Sequence, residues 1–422
     1  MSYIYAIDYG TSNSLVAGAD GRTVFSPVAL DPGNSDKTIL RSLLYTPARG
    51  EWYFGSAAIE KYSESGTDGR FIRSVKRFLP DPGFEATTIH AARMTILDLV
   101  AVFLRELRER ANQQLERDVD TVILGRPAAF SLDPELDKLA ETRLRGAAAL
   151  AGFKHVELLH EPIAAAFEFR HTLLSEKLCL IADLGGGTSD FTVLRLGKKA
   201  FESSDVLAVG GVSIAGDMFD SRIMRSEISP FFGSEVVYKV PLGNVEMTLP
   251  KHLINRFCHP ADISFLAKRD VMSLLKDVKR WSLSDTDRDK MDNLFAMIEE
   301  NLGYAVFAAI ESAKKELSLA PSAMVSFAHP RFQIEKEISD SVFAASTEEV
   351  VAKIMGSMDD TVAAAGVTYR DIDVVCCTGG TAKIPALRGS IAERVGAEKM
   401  EQHEHFHSVV RGLAQRAAEL AR

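Results

Sequence analysis

An α/β protein with mainly parallel or mixed sheets, duplicated within one chain, is the expected fold class, and three observations carry that expectation. Apolar strand-like runs alternate with stretches of helical periodicity. Two strand–turn–strand units, Tyr3 to Gly18 and Leu178 to Leu196, share one plan: an apolar run ending in Asp (Asp8, Asp183), a turn containing Gly and Thr, and a second apolar run. The 422 residues are 46% hydrophobic, 25% charged and 8% aromatic, which sets aside disordered, collagen-like and coiled-coil chains.

Length and charge narrow the classes further. At roughly 100–200 residues per domain, the chain holds two to four domains or subdomains. With 49 basic against 58 acidic residues the net charge is −9, so the average surface repels nucleic acid and any polyanion site must be local. The four cysteines, Cys179, Cys258, Cys376 and Cys377, lack metal or redox spacing, and a reduced cytosolic chain is expected. The start, Met-Ser-Tyr-Ile-Tyr-Ala-Ile-Asp, does not read as a signal peptide, and no run of about 18 apolar residues suggests a membrane span. Cytoplasm is the expected compartment, without nucleic acid or membrane as partner.

Along the chain, Tyr3 to Gly18 predicts a hairpin. Asp31 to Asp81 reads as loop-rich, with a short hairpin around Ala48-Arg49-Gly50. A helix is expected near Thr95 to Leu115, a strand at Thr121 to Gly125, a helix near Glu135 to Ala151 and another opening at Glu161-Pro162. After the second hairpin comes a proline-containing region, Pro230 to Pro260. Met291 to Leu317 then keeps a buried stripe at helical spacing and is expected to be the longest helix. A helix near Val342 to Ala365, a strand Ile372 to Cys377, a turn Thr378-Gly379-Gly380-Thr381 and a helix from about Ser408 complete the order.

Three glycine turns follow strands: Gly10-Thr11-Ser12-Asn13, Gly185-Gly186-Gly187-Thr188-Ser189-Asp190 and Gly379-Gly380-Thr381. Glycine lets the backbone approach a ligand closely, and successive free N–H groups form an anion nest suited to phosphate. The carboxylates of Asp8 and Asp183 would repel that phosphate unless a cation stands between, and Mg²⁺ with retained waters suits one or two carboxylates plus phosphate oxygens. A P-loop or a dinucleotide fingerprint needs a turn from strand into helix, whereas these turns lead into a second strand. The duplicated unit therefore reads as a clamp for Mg-nucleotide. A single such turn would more often be only a tight turn.

These residues resemble the actin-like ATPase superfamily, and within it the nucleotide-binding domain of DnaK-type (seventy-kilodalton heat-shock) chaperones, YegD-like branch. Matching motifs are the hairpins, Ser74-Val75-Lys76-Arg77, Glu161-Pro162-Ile163-Ala164-Ala165-Ala166, Glu311 to Ser318 and Thr378 to Pro385. The resemblance implies a two-lobed actin-like (ribonuclease H-like) fold, each lobe a mixed sheet flanked by helices with an inserted subdomain. Lobe I would take residues 1–177 (insertion about 35–115) and the closing helix 405–422. Lobe II would take 178–404 (insertion about 220–335).

By the same resemblance, Gly10, Thr11, Ser12 and Asn13 contact the β- and γ-phosphates and Thr188 the γ-phosphate, and Gly185, Gly186 and Gly187 belong to the nucleotide-binding set. Asp8 and Asp183 hold hydrated Mg²⁺, Asp190 supports the water network, and Glu161 sits near metal and attacking water. Lys76 matches the catalytic lysine. In isolation Arg70, Arg73, Lys76 and Arg77 read as a solvated basic helix face, but an ammonium beside a transferring phosphoryl group offsets its charge. Glu311, Lys314, Lys315 and Ser318 share a helix stripe expected to meet ribose and adenine of ATP or ADP, with Gly379, Gly380 and Lys383 opposite. The plain reading of Glu311 and Lys315 is an exposed ion pair worth roughly 0.3–0.5 kcal/mol.

The chain departs from the family in three ways. Lys315 and Lys383 stand where arginines usually flank the base, and lysine lacks the planar guanidinium that stacks on it. Gly125-Arg126-Pro127 replaces the usual apolar residue before the switch proline, and the relaying arginine has no counterpart. An interdomain signal of the chaperone kind is accordingly not expected. His403, His405 and His407 alternate, but without cysteine or carboxylate partners they do not read as a metal site. Cys376 and Cys377 are expected to pack in the sheet.

The function these features imply is a slowly hydrolysing Mg-ATP switch, acting with a client protein or a nucleotide-exchange partner. Two rivals are a filament-forming bacterial actin, against which the Ser-Val-Lys-Arg and Gly-Gly-Thr-Ala-Lys-Ile-Pro motifs count, and a small-molecule kinase, for which no separate catalytic-base loop is evident. Because the motifs use up the chain to Arg422, no peptide-clamp domain is expected.

Overall fold

The computed structural model describes residues 3–65, 69–131, 133–170, 175–197, 203–241, 243, 245–260, 262–401 and 407–421. The chain forms two compact units, Met1–Ala215 with Lys353–Lys383 and Leu387–Arg422, and Gly216–Ala352 with Ile384–Ala386.

In the first unit each predicted hairpin forms and seeds a sheet. Ile4–Tyr9 runs antiparallel to Asn13–Ala19, from Ile4 opposite Ala19 to Tyr9 opposite Ser14. Its other edge takes Thr121–Arg126 in parallel, with His155–His160 beyond, and Leu40–Arg41 closes the far side. The second hairpin, Lys177–Leu184 with Ser189–Leu196, sits between Val206–Val212 and the parallel strand Val374–Thr378. Central strands of such sheets are covered on both faces, which is why Ile-Tyr-Ala-Ile and Leu-Ile-Ala appear as continuous apolar runs. Cys376 packs fully buried in that last strand and Cys377 is half-buried; all four thiols are free.

Helices form where caps and periodicity agree. Thr95 caps the helix Ile96–Leu115 by accepting from Asp98 N at 3.2 Å, while the Asp98 carboxylate accepts from Thr95 N at 2.8 Å. Asp133 caps Pro134–Leu150, whose proline occupies the first turn, where no N–H is needed. The expected helix at Glu161 runs Glu161–Arg170, and the terminal helix is Ser408–Leu420.

Several expectations are corrected. Met291 to Leu317 is two helices, Asp285–Glu299 and Gly303–Leu317, separated at Asn301, whose φ of +52° is left-handed. The apolar stripe continues through the break because both helices bury their faces, so periodicity alone conceals it. Asn tolerates that backbone more readily than most residues. Among the described residues the longest helix is Asp340–Ala364, with 25 residues. The loop-rich stretch does contain the hairpin around Gly50, between Leu43–Thr46 and Tyr53–Phe54, but also a helix, Gly55–Ser65. Arg70–Arg73 is a strand, and Lys76 and Arg77 lie on a short 3₁₀ turn, so the four cations do not share a helix face. In the second unit Ser322–His329 and Phe332–Ser339 form an antiparallel hairpin not anticipated above, with Ala323, Val325, Ile334 and Ile338 buried on one face. No helix of the described residues is long and apolar enough to cross a membrane.

The terminal helix lies in an alanine-rich layer. Ala164, Ala165 and Ala166 of the helix Glu161–Arg170 pack with Val410, Leu413, Ala414 and Ala417 in a cluster that also includes Ile4, Ile123 and Ile181 from the two sheets. Close approach is possible because Gly412 has no side chain: a Cβ there would stand 1.7 Å from the Ala164 carbonyl oxygen. Gly412→Ala is therefore expected to destabilise the first unit by about 1–3 kcal/mol, the usual cost of overpacking, measured by urea unfolding. An unchanged midpoint would show that the helix does not need this crossing.

Candidate functional site

One pocket of about 670 Å³, mouth included, opens where the strand ends and turns of the first unit converge. It is lined by Asp8, by Gly10 to Asn13, by Lys76 and Glu161, by Asp183, by Gly185 to Thr188, and by Thr378, Gly379 and Gly380. Residues from all three glycine turns thus meet there.

Each turn needs its glycine for a local reason. A Cβ on Gly10 would lie 2.2 Å from the Asn13 carbonyl oxygen, and one on Gly379, whose φ is +81°, would lie 2.2 Å from the Leu184 carbonyl oxygen. The first two turns face each other, since a Cβ on Gly187 would stand 3.0 Å from the Thr11 methyl.

Lys76 follows Ser74, itself left-handed at φ +56°, on the turn Val75–Phe78. That kink carries its side chain inward, and Nζ meets Glu161 Oε1 at 2.6 Å, with both side chains under a tenth exposed. Burial alone would lower the Lys76 pKa; the charges of Glu161 and Asp8, with the Glu161 hydrogen bond, raise it instead, so the ammonium persists. Asp8 is pushed well above the carboxylate range, by burial first and then by Glu161. Burial and Glu161 raise Asp183 to about 6, against the pull of Thr378, which donates to Asp183 Oδ1 at 2.8 Å. Asp190, opposite Asp183 in the hairpin, is raised to about 8 by burial and by Asp183, and its Oδ1 is buried without a partner.

The pocket therefore holds more carboxylate than its single ammonium can balance. Carboxylates raised by mutual repulsion are relieved by a cation, and their oxygens suit a hard one such as Mg²⁺. Among the described residues no three His, Cys, Asp or Glu side chains converge on a direct metal cage. A hard cation held there by Asp8 and Asp183 alone would keep most of its coordination for water.

Glu311, Lys314, Lys315 and Ser318 belong to the second unit, on and just after Gly303–Leu317. Lys315 pairs with Glu311 at 2.6 Å on the surface, as the plain reading expects. Lys314 turns inward, 2.8 Å from Asp220 Oδ1, and donates to the Gly216 carbonyl at 3.1 Å. The Ser318 hydroxyl donates to the Lys314 carbonyl at 3.3 Å. Lys383 ends the short turn Gly380–Lys383 and is exposed. Arg126 is buried between Asp137, at 2.8 Å, and Glu141, at 3.0 Å. Of the alternating histidines, His403 and His405 lie outside the described residues, while His407 Nε2 lies 2.9 Å from Thr38 Oγ1 and, against the expectation of no carboxylate partner, 3.2 Å from Asp36 Oδ2. Sequence reading missed Thr378 as a pocket residue, although it directly precedes the third turn.

The Hsp70 protein family model matches residues 79–236 and 300–421. A chaperone protein HscA homolog of Burkholderia mallei (strain SAVP1) is 28% identical over 437 aligned positions, covering 98% of this chain and 58% of the relative. The homolog of Burkholderia pseudomallei (strain K96243) gives the same figures: 28%, 98% and 58%. That of Methylobacillus flagellatus is 33% identical over 238 positions, 52% of this chain and 36% of the relative. The chain thus spans 58% of the length of the relatives that it matches end to end. The α/β class with mixed sheets is the one expected of an actin-like ATPase fold.

The raised carboxylates make stability depend on pH. Asp183 and Asp190 hold protons in the folded state up to about 6 and about 8, whereas an unfolded Asp releases its proton near 4. Between about 4 and 8 the native state binds more protons, so its stability falls as pH rises. Asp190→Asn removes one of these groups. Urea unfolding across that window should give a shallower pH slope for the variant than for wild type; parallel slopes would remove Asp190 as a source.

Proposed function

The chain belongs to the Hsp70 family, and on that premise we propose that its pocket binds Mg-ATP and that the protein hydrolyses it slowly to ADP and phosphate, working as a nucleotide-driven switch. The observation that carries this reading is the buried Lys76–Glu161 pair, set among Asp8, Asp183 and two equivalent glycine turns.

In this reading the turn amides of Gly10 to Asn13 and Gly185 to Thr188 hold the phosphate chain. Asp8 and Asp183 would hold Mg²⁺, which when bound would supply positive charge opposite the phosphate oxygens. Phosphoryl transfer leaves a protein little covalent work; catalysis is positioning and charge stabilisation. Lys76 offsets the charge of the transferring group and, with Glu161, orients the attacking water. Asp183 helps place that water alongside Lys76 and Glu161. The hydroxyls of Thr11 and Thr188 position the leaving and transferred groups.

Ribose and base are assigned to Glu311, Lys314, Lys315 and Ser318, with Gly379, Gly380 and Lys383. Closure around nucleotide is the output, read by a client or exchange partner. The matched relatives are named as chaperones, which agrees with such an output.

Lys76→Ala tests the mechanism. Mg-ATP binding by calorimetry should be retained, while single-turnover hydrolysis should fall about 10²–10³-fold, the usual loss of one transition-state charge partner. An unchanged rate removes Lys76 from the chemistry, and a wild type that binds no Mg-ATP removes the reading itself.

A further inference from the structure

The two phosphate-facing turns share a feature that their sequences do not show. Gly10 stands two residues after Asp8, and Gly185 two residues after Asp183. Each of these equivalent glycines has its carbonyl held from behind by a buried hydroxyl. Ser42 Oγ donates to the Gly10 carbonyl at 2.7 Å, and Thr381 Oγ1 donates to the Gly185 carbonyl at 2.6 Å. Both hydroxyls are nearly inaccessible, Ser42 at 4% and Thr381 at 6% exposure.

The two donors come from unrelated places. Ser42 follows the edge strand Leu40–Arg41 and also gives its N–H to the Ser12 carbonyl at 2.9 Å. A serine has one hydroxyl proton. With that proton on Gly10, the 2.9 Å contact between Ser42 Oγ and Ser14 Oγ has Ser14 as donor. Thr381 comes from the third glycine turn, which lies against the second at Gly379 and Leu184.

The consequence follows from peptide geometry. In a planar trans peptide the carbonyl of one residue and the N–H of the next point in opposite directions. Anchoring the Gly10 carbonyl on Ser42 aims the Thr11 N–H away from Ser42, and anchoring the Gly185 carbonyl on Thr381 does the same for Gly186. Thr11 and Gly186 both line the pocket, and among the described residues neither N–H has a hydrogen-bond partner. An unpaired N–H at a pocket wall is a donor held ready for an anion.

We propose that Ser42 and Thr381 are a matched pair of positioning residues, which fix the amide direction of the two turns and so set affinity for the phosphate chain of the nucleotide rather than for its nucleoside. This rests on the Mg-nucleotide reading of the pocket. Neither residue touches substrate in this role; each acts through a glycine peptide.

Calorimetry of Mg-ADP and of adenosine with wild type, Ser42→Ala and Thr381→Ala tests the pair. Each variant should lose roughly tenfold in ADP affinity, as expected when a buried carbonyl loses its donor, with adenosine affinity unchanged. The double variant should lose roughly the product, about a hundredfold, if the turns act separately. Ser42→Thr and Thr381→Ser, which retain the hydroxyl, should restore ADP binding. Thermal unfolding accompanies each variant. Should Ser42→Ala fail to fold, Ser42→Cys provides the same contrast with a near-isosteric weak donor.

Equal ADP affinity in wild type and folded variants overturns the proposal alone. So does a loss at Thr381 that is as large for adenosine as for ADP. A wild type that binds neither ligand overturns the nucleotide reading, and this inference with it.

Discussion

Bringing Asp8, Glu161, Asp183 and Asp190 to one corner sets like charges where water screens them poorly, and burial together with neighbouring carboxylates pushes Asp8, Asp183 and Asp190 above the usual carboxylate range. A chain free to relax would separate them. Here they cannot separate, because three of them sit on paired strands and the fourth opens a helix: Asp8 opposite Leu15, Asp183 opposite Asp190, Glu161 directly after His160. Lys76 offsets part of the repulsion from a kinked turn, and the helix beneath Glu161 is locked by the Gly412 crossing. Breaking a buried pair such as Lys76–Glu161 by removing one partner typically costs about 3–5 kcal/mol. A cation bound among the carboxylates would favour their ionised forms.

Duplication explains how so many groups converge. Each hairpin ends its first strand in Asp, turns on glycine and returns, and the two turns face one another across Gly187 and Thr11. The copies have diverged in chemistry while keeping their backbone task. The first turn carries side chains, Thr-Ser-Asn, and borrows its support from an edge strand. The second is nearly bare glycine and borrows its support from the third turn, so Thr378 and Thr381 hold Asp183 and Gly185 from one short segment.

Local chemistry was legible in the sequence, and long-range pairing was not. Asp-Gly-Thr turns after apolar runs announced both hairpins, and Thr95 and Pro134 marked helix starts within a residue or two. The helix break at Asn301 was hidden because apolar spacing records burial, not backbone continuity. The hairpin Ser322–Ser339 did alternate, with Ala323, Val325, Ile334 and Ile338 inward, but its turn, Pro330-Arg331, lacks the Asn-Gly or Asp-Gly pair that marks a tight hairpin most strongly. Ser42 carries no motif: its role depends on Leu40–Arg41 pairing beside Asn13, a register that composition and periodicity do not encode.

The cations at motif positions illustrate why partner, rather than position, assigns a role. Lys314 and Lys315 are neighbours on one helix, yet their commitments differ. Lys315 is 63% exposed in its pair with Glu311, and such surface pairs are worth about 0–1 kcal/mol. Lys314 is buried against Asp220, whose pKa burial raises to about 6 even with the lysine beside it. Withdrawing Lys314 would strand that carboxylate, at about 3–5 kcal/mol. Lys314 ties the helix Gly303–Leu317 to the Gly216–Ile223 segment, where it donates to the Gly216 carbonyl and pairs with Asp220.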